Sequence, residues 1–245
     1  MRKPLTTYQL LPLSFFNRDP QRVAVDLLGK VLCHRVRGQW LMASLVETEA
    51  YYLADKASHA SLGFTEKRRA LFMPPGTIYM YYARGGDSFN VSCRGPGNAV
   101  LFKAGLPYVD PPGVGETMLG AMQRLNPLPN GITRAAGRLC AGQTLLCRSL
   151  GLRVPVWDAR PILSDSLHVL DVGYRPPQIV RALRRGIPEG RDGHLPYRFV
   201  DAVRAGAATQ NPLGRHGHPK EEATLHPYPR NTAAWRALTS IGHKV

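Results

Sequence analysis

Residues 41–51, Leu-Met-Ala-Ser-Leu-Val-Glu-Thr-Glu-Ala-Tyr, set two carboxylates inside a run that otherwise reads as a β-strand. Side chains alternate along a strand, so Leu45, Glu47, Glu49 and Tyr51 share one face and Ser44, Val46, Thr48 and Ala50 the other. A buried carboxylate is costly unless it is paired or hydrogen-bonded. Such a strand therefore lies at a solvated rim or lines a working pocket. A general base needs the second arrangement, a rigid carboxylate beside a cavity that excludes bulk water. Spacing alone favours the plainer reading, an edge strand with two solvated Glu residues. Tyr79 and Tyr81 shift that balance. They alternate on a second strand with both rings on one side, and Tyr51 supplies a third ring. A flat substrate between aromatics fits the set, and a nucleobase is the usual flat substrate of a basic protein. A core aromatic cluster is the alternative. It leaves unexplained Glu49 beside Tyr51, and Lys67-Arg68-Arg69 just ahead of the Tyr strand.

Charge points the same way. The 245 residues hold 32 Lys and Arg against 17 Asp and Glu, a formal +15. That length suits one domain, or one domain and a tail, and the excess is the footprint of a polyanion binder. An anionic membrane surface would also attract it, but no basic amphipathic helix reads from the chain. No apolar run reaches the roughly 18 residues of a membrane span, and Met1-Arg2-Lys3 has no apolar stretch behind it, so no span or signal peptide is expected. Cys33, Cys93, Cys140 and Cys147 form no C-x-x-C pair and no set with zinc spacing, and read as reduced, buried thiols of a cytosolic protein. His216, His218 and His226 are too loosely spaced for a metal, so none is expected. The Gly-rich turns lack the spacing of a phosphate-binding loop or a dinucleotide fingerprint, which implies no nucleotide cofactor.

Along the chain, Asp19-Pro20 reads as a helix start, with Val23, Leu27 and Leu28 as the apolar stripe and Gly29 as the end. Residues 30–36 and 40–51 read as strands turning about Arg37-Gly38-Gln39. Residues 52–69 read as a polar, basic loop holding His59. Strands over 79–82 and 89–92 flank a hairpin tip, Ala83-Arg84-Gly85-Gly86-Asp87, and 99–104 form another strand. Residues 115–125 and 134–150 read as helices, 154–172 as one or two short strands, and 179–186 as a further basic stretch, with 196–200 closing the domain. Residues 201–245, rich in Ala, Gly, Pro and His, read as a flexible tail with a short helix over 232–241. The order of elements implies an α+β fold.

One set of residues goes further: Val46-Glu47-Thr48-Glu49-Ala50-Tyr51, His59, Thr65 with its basic neighbours, Phe72-Met73 with Pro75-Gly76-Thr77, Tyr79, Tyr81, Asn90, and Val100-Leu101 before Lys103. Phe15-Phe16 and Leu27-Leu28-Gly29-Lys30-Val31-Leu32 upstream extend it, as do Arg185-Gly186-Ile187 and Pro196-Tyr197-Arg198-Phe199 downstream. In this order and near this spacing, over about residues 12–200, the chain resembles the alkyladenine (3-methyladenine) DNA glycosylases of the mammalian type.

The resemblance implies a single mixed α+β domain over residues 1–200: a curved, largely antiparallel sheet, surrounding helices and a protruding hairpin that inserts into DNA. It implies a monofunctional base-excision repair glycosylase, with no cofactor. Such an enzyme hydrolyses the N-glycosidic bond of alkylated or deaminated purines, the class of 3-methyladenine, 7-methylguanine, hypoxanthine and ethenoadenine. Its partner would be double-stranded DNA containing damaged purines, with no membrane; a monomer is expected, cytoplasmic on a bacterial nucleoid or nuclear in a eukaryote. The flipped purine would lie between Tyr51 on one side and His59 with Tyr81 on the other. Glu49 would activate the water. Lys103 stands where the family has an Arg that helps hold it, a point charge replacing a planar fork. Asn90 would sit under the base and clash with the amine of guanine. Thr65, Lys67, Arg68 and Arg69 would contact phosphates; in isolation the run reads as a solvated charge face.

Two departures matter. Ala141-Gly142-Gln143-Thr144-Leu145 stands where relatives carry a Gly-Pro-Gly-Lys-like turn. Relatives also carry the inserted Tyr three residues after the second strand Tyr; here that position is Arg84, before Gly85, in a segment one residue short. Its place at the tip favours Arg84 as the wedge, with Tyr82, which alternation turns away, as the other candidate. Two other classes keep the charge and the rings: a damaged-DNA binder that does not cut, which would not need Glu49, and an RNA-binding or RNA-modifying protein.

Overall fold

The computed structural model describes residues 8–83, 85–109 and 114–239. Asp19 accepts hydrogen bonds from the backbone N–H groups of Gln21 and Arg22, and Pro20 takes the first helical position of α1 (Pro20–Leu27). Val23, Ala24 and Leu27 on α1 are buried. The next two strands, β2 (Val31–Val36) and β3 (Gln39–Tyr51), meet through Arg37 at φ 49° and Gly38 at φ 82°. Two left-handed residues in a row match the right-handed twist of a tight hairpin.

β1 (Gln9–Leu10) precedes these elements, and β4 (Ile78–Ala83), β5 (Gly86–Ser92) and β6 (Ala99–Pro107) follow them. Beyond α2 (Val114–Leu125), α3 (Gln143–Leu150) and α4 (Val154–Trp157) come β7 (Leu167–Asp171), β8 (Gln178–Ala182), β9 (Arg198–Asp201), β10 (Ala223–Pro227) and α5 (Thr232–Thr239). The strands form one open sheet in the order β1-β7-β2-β3-β6-β5-β4, and β9, β8 and β10 branch from β3. Every pairing of these strands is antiparallel, so the fold is the expected α+β domain.

β3 is the central strand, and residues 43–50 are buried on both faces. The edge-strand alternative therefore fails: Glu47 and Glu49 are 1% and 0% exposed. On one face Thr48 donates its hydroxyl to the Ala24 carbonyl of α1, and Ala50, Phe89, Val100 and Phe102 join the main core. The other face carries Glu49 and Tyr51. Where β3 meets β6 the register slips: Leu45 pairs with Gly105, Glu47 with Ala104 and Thr48 with Phe102, which leaves Val46 and Lys103 unpaired. Such bulges re-aim side chains, and this one lies beside the buried carboxylates.

Several elements differ from the sequence reading. Residues 134–150 are not one helix: a 3-10 turn, Ala136–Arg138, is cut from α3 by Gly142 at φ 142°, a conformation that interrupts a helix. Residues 154–172 hold a short helix, α4, with a proline in its first turn, and a single strand, β7. Residues 52–69 contain the 3-10 turn His59–Leu62 and the start of another, Glu66–Phe72. Residues 178–182 of the basic stretch form β8, and Arg181 and Arg184 are buried.

The segment set aside as a flexible tail has structure through residue 239. β10 pairs with the free edge of β8, from Ala223 opposite Ala182 to Pro227 opposite Gln178. Tyr228 donates its hydroxyl to Asp26, Arg22 sits 5.6 Å over the Trp235 ring, and Leu238 is buried. These anchors are single apolar residues in a polar sequence, so no periodicity announces them. The four cysteines are buried free thiols, and no helix among the described residues is long and apolar enough to cross a membrane.

Candidate active site

A row of directly paired residues crosses four strands: Tyr79 on β4, Asn90 on β5, Leu101 on β6 and Glu49 on β3. Paired residues share a face, so the period of two that placed Tyr79 with Tyr81 also aligns both with Asn90, Ala99 and Tyr51. On this face lies a cavity of about 260 Å³. Tyr51, Tyr79, Tyr81, Asn90, Ala99 and Lys103 line it from the sheet, His59 from the 3-10 turn, Gln143 from α3, and Arg185 and Arg191 from the loop after β8. Small-molecule sites usually run to roughly 300–1,000 Å³, so this one suits a single flat heterocycle.

Glu49 sits under this cavity with its two oxygens in unlike surroundings. Oε2 accepts a 2.6 Å hydrogen bond from the Tyr51 hydroxyl. Burial, then the neighbouring Glu49 charge, hold the Tyr51 phenol well above its ordinary range, so it stays a donor. Oε1 lies 3.3 Å from the Lys103 ammonium but makes no hydrogen bond within the described structure. Oε2 is thus engaged, whereas Oε1, also buried, has the Lys103 ammonium beside it and no hydrogen bond. Glu47 is different. Arg198 donates Nε to its Oε1 at 2.6 Å, and the Thr209 backbone N–H donates to its Oε2 at 2.6 Å. Both oxygens are engaged by residues outside the cavity wall, whereas Glu49 touches two residues of that wall, Tyr51 and Lys103.

Three more rings of the cavity wall pack together. The His59 ring centroid is 4.4 Å from that of Tyr81, and His59 Nδ1 is 2.8 Å from the Tyr79 hydroxyl. Burial, with Arg68 and Arg191 nearby, pushes the His59 imidazole below its ordinary 6.5, so it is neutral at pH 7. Asn90 is buried and donates Nδ2 to the Tyr79 carbonyl at 3.2 Å, which fixes its amide in the cavity wall.

The expected phosphate-contacting residues are outside the cavity. Thr65, Lys67 and Arg69 are exposed. Arg68 is partly buried and donates Nη1 to the Leu62 and Gly63 carbonyls, so its guanidinium braces its own loop. Tyr82 is 69% exposed on β4. Arg84 lies outside the described residues. The far side of the hairpin rests on α3: Arg148 donates to the Gly85 carbonyl, and a Cβ on Gly86 would meet Thr144 at 2.0 Å, so only glycine allows this approach.

Sequence reasoning missed Arg184 and Asp55. The Arg184 guanidinium lies 4.6 Å over the Tyr51 ring and forms a buried ion pair with Asp55. The two are far apart in the chain, and Arg184 reads as part of a basic run, so no local signal marks the pair. Gln143, Arg185 and Arg191 were not singled out as site residues either.

A family model described as methylpurine-DNA glycosylase matches residues 14–205. A Pseudomonas aeruginosa protein named "Putative 3-methyladenine DNA glycosylase" is 60% identical over 205 residues, covering 84% of this chain and 85% of the relative. A protein of the same name from Pseudomonas savastanoi pv. phaseolicola is 58% identical over 205 residues, 84% of this chain and 92% of its own length. A third, from Koribacter versatilis, is 32% identical over 207 residues, 82% of this chain and 94% of its own.

Proposed function

The chain belongs to the methylpurine-DNA glycosylase family, and from that premise we propose that it hydrolyses the N-glycosidic bond of alkylated or deaminated purines in duplex DNA, with Glu49 as general base. The observation that carries this reading is the buried Glu49 carboxylate, one oxygen held by Tyr51 and the other beside Lys103 without a hydrogen bond, where both partners line an aromatic cavity of nucleobase size.

The bond is hidden in a duplex, so the nucleotide rotates out, at a cost of a few kcal/mol that is least for damaged bases. Stacking returns roughly 1–3 kcal/mol per base; here Tyr51 stacks on one face and His59 with Tyr81 on the other. Glu49 Oε1 takes a proton from water as the water oxygen bonds to C1′ and the bond from C1′ to the base breaks. An alkylated cationic base leaves as a neutral molecule, and a neutral base leaves after protonation. Lys103, held beside Oε1, orients the water. Its ammonium is engaged with Glu49 rather than free to attack the sugar, which favours simple hydrolysis over strand cleavage.

Asn90 rejects normal guanine by crowding its exocyclic amine. Asn90→Gly raises excision of guanine and methylated guanine relative to adenine lesions; an unchanged ratio in a competition assay removes Asn90 as the gate. Thr65, Lys67, Arg68 and Arg69 follow the backbone, and the hairpin at Tyr82 and Arg84 enters the duplex. With a +15 chain tracking phosphates, log affinity falls steeply and linearly with log salt through counterion release. A flat dependence in a fluorescence titration contradicts phosphate tracking.

The test is excision from a lesion-bearing DNA duplex beside the same sequence as RNA. Release of the base from DNA alone supports the proposal. Binding without release favours a non-cutting sensor, and activity on RNA favours an RNA-modifying enzyme.

A further inference from the structure

We infer that Arg184, clamped by Asp55, is a positioning residue for this reaction: it backs the Tyr51 ring and, through the Tyr51 hydroxyl, fixes which oxygen of Glu49 is left without a hydrogen bond, to take the proton. The inference rests on the reading of Glu49 as the base.

Tyr51 has two tasks. Its ring forms one wall of the cavity, and its hydroxyl holds Glu49 Oε2. It is also the last residue of β3, where the strand gives way to a loop, so the sheet alone does not lock its ring. Arg184 supplies the lock. Its guanidinium lies 4.6 Å from the Tyr51 ring centroid and 5.4 Å from that of Tyr197, so it touches both rings. Nη1 donates to the Ala50 carbonyl at 3.2 Å, the residue between Glu49 and Tyr51. Asp55 accepts from Nη1 and, at 3.0 Å, from Nη2, a bidentate clamp that sets the guanidinium plane. A lysine has the charge but neither the plane nor the fork.

A buried ion pair is poor evidence of a role in stability, because apolar residues of similar size often serve as well. What an apolar side chain cannot supply here is charge. Burial opposes the Arg184 cation, but its hydrogen bonds to Asp55 and the charges of Asp55 and Glu49 outweigh that and hold it firmly charged. Glu49 and Asp55 are thus matched by Lys103 and Arg184, and removal of either Arg184 or Asp55 unbalances the site in opposite senses.

The experiment compares Arg184→Met, Arg184→Lys and Asp55→Asn with the parent in single-turnover excision and in duplex affinity, with thermal unfolding as the check on folding. Arg184→Met is expected to slow excision roughly 10- to 100-fold, the usual cost of loosening a residue that orients a catalytic group, while its affinity for undamaged duplex stays unchanged. Arg184→Lys, which keeps the charge but not the fork, restores part of the rate. Asp55→Asn, which loosens the clamp, slows excision in the same sense. Should Arg184→Met not fold, Asp55→Asn carries the same test. A folded Arg184→Met or Asp55→Asn variant with the parental rate overturns the inference while the parent's excision still stands. A parent that excises nothing overturns the functional reading instead.

Discussion

Glu49→Gln loses excision by roughly 10²–10⁴-fold, the usual contribution of a positioned general base, while affinity for lesion-bearing duplex stays within a few-fold of the parent. The reasoning is geometric. Gln is close in shape to Glu and keeps a carbonyl oxygen to accept the Tyr51 hydroxyl, so the ring that stacks on the base is still anchored. The oxygen beside Lys103 becomes an amide nitrogen, which cannot take a proton and presents a donor to an ammonium. Base binding uses the aromatic rings of the site, none of which changes, so the loss falls on the chemical step. With enzyme in excess and a labelled lesion duplex, single-turnover release measures that step directly. A rate within a few-fold of the parent sinks the assignment of Glu49 as base. Tyr51→Phe is the useful companion, since it frees Oε2 while leaving the stacking face.

Much of the cavity was legible from period alone. A side-chain repeat of two put Tyr79 with Tyr81 and Glu49 with Tyr51, and the observed register carries the same face through Asn90 and Leu101. The start of α1 was legible because a cap is local: Asp19 reaches the next N–H groups and Pro20 needs none. What could not be read was set by contacts distant in sequence. Arg184 meets Asp55 across 129 positions, Arg198 meets Glu47 across 151 and Thr209 meets it across 162. The compensating bulges at Val46 and Lys103 break the alternation beside the site. The break ahead of α3 depends on one glycine φ, in a run whose other residues continue a helical pattern. The structure of residues 223–239 rests on β10 covering the β8 edge and on isolated aromatic anchors, which alternation cannot reveal in so short and polar a strand.

Which of two carboxylates, spaced alike on one strand, does the chemistry is a question that the partners of Glu47 open to a test through stability. Glu47 is buried with Arg198 on one oxygen and the Thr209 N–H on the other. Arg198 also donates Nη2 to the Gln210 carbonyl, so the pair ties β3 and β9 to the segment after β9. Removing one partner of a buried pair costs about 3–5 kcal/mol, because the other charge stays buried without compensation. Total stability of a domain is only about 5–15 kcal/mol. Glu47→Gln therefore lowers the denaturant midpoint sharply, and Glu47→Leu combined with Arg198→Met recovers part of the loss because no lone charge remains. Folded Glu47→Gln molecules still hold Glu49 between Tyr51 and Lys103, so their single-turnover rate stays far above that of Glu49→Gln. Urea titration and single-turnover excision on the same preparations separate the two carboxylates. If Glu47→Gln keeps its midpoint and loses more excision than Glu49→Gln, the catalytic carboxylate is Glu47 and the role assigned to Glu49 has been misread.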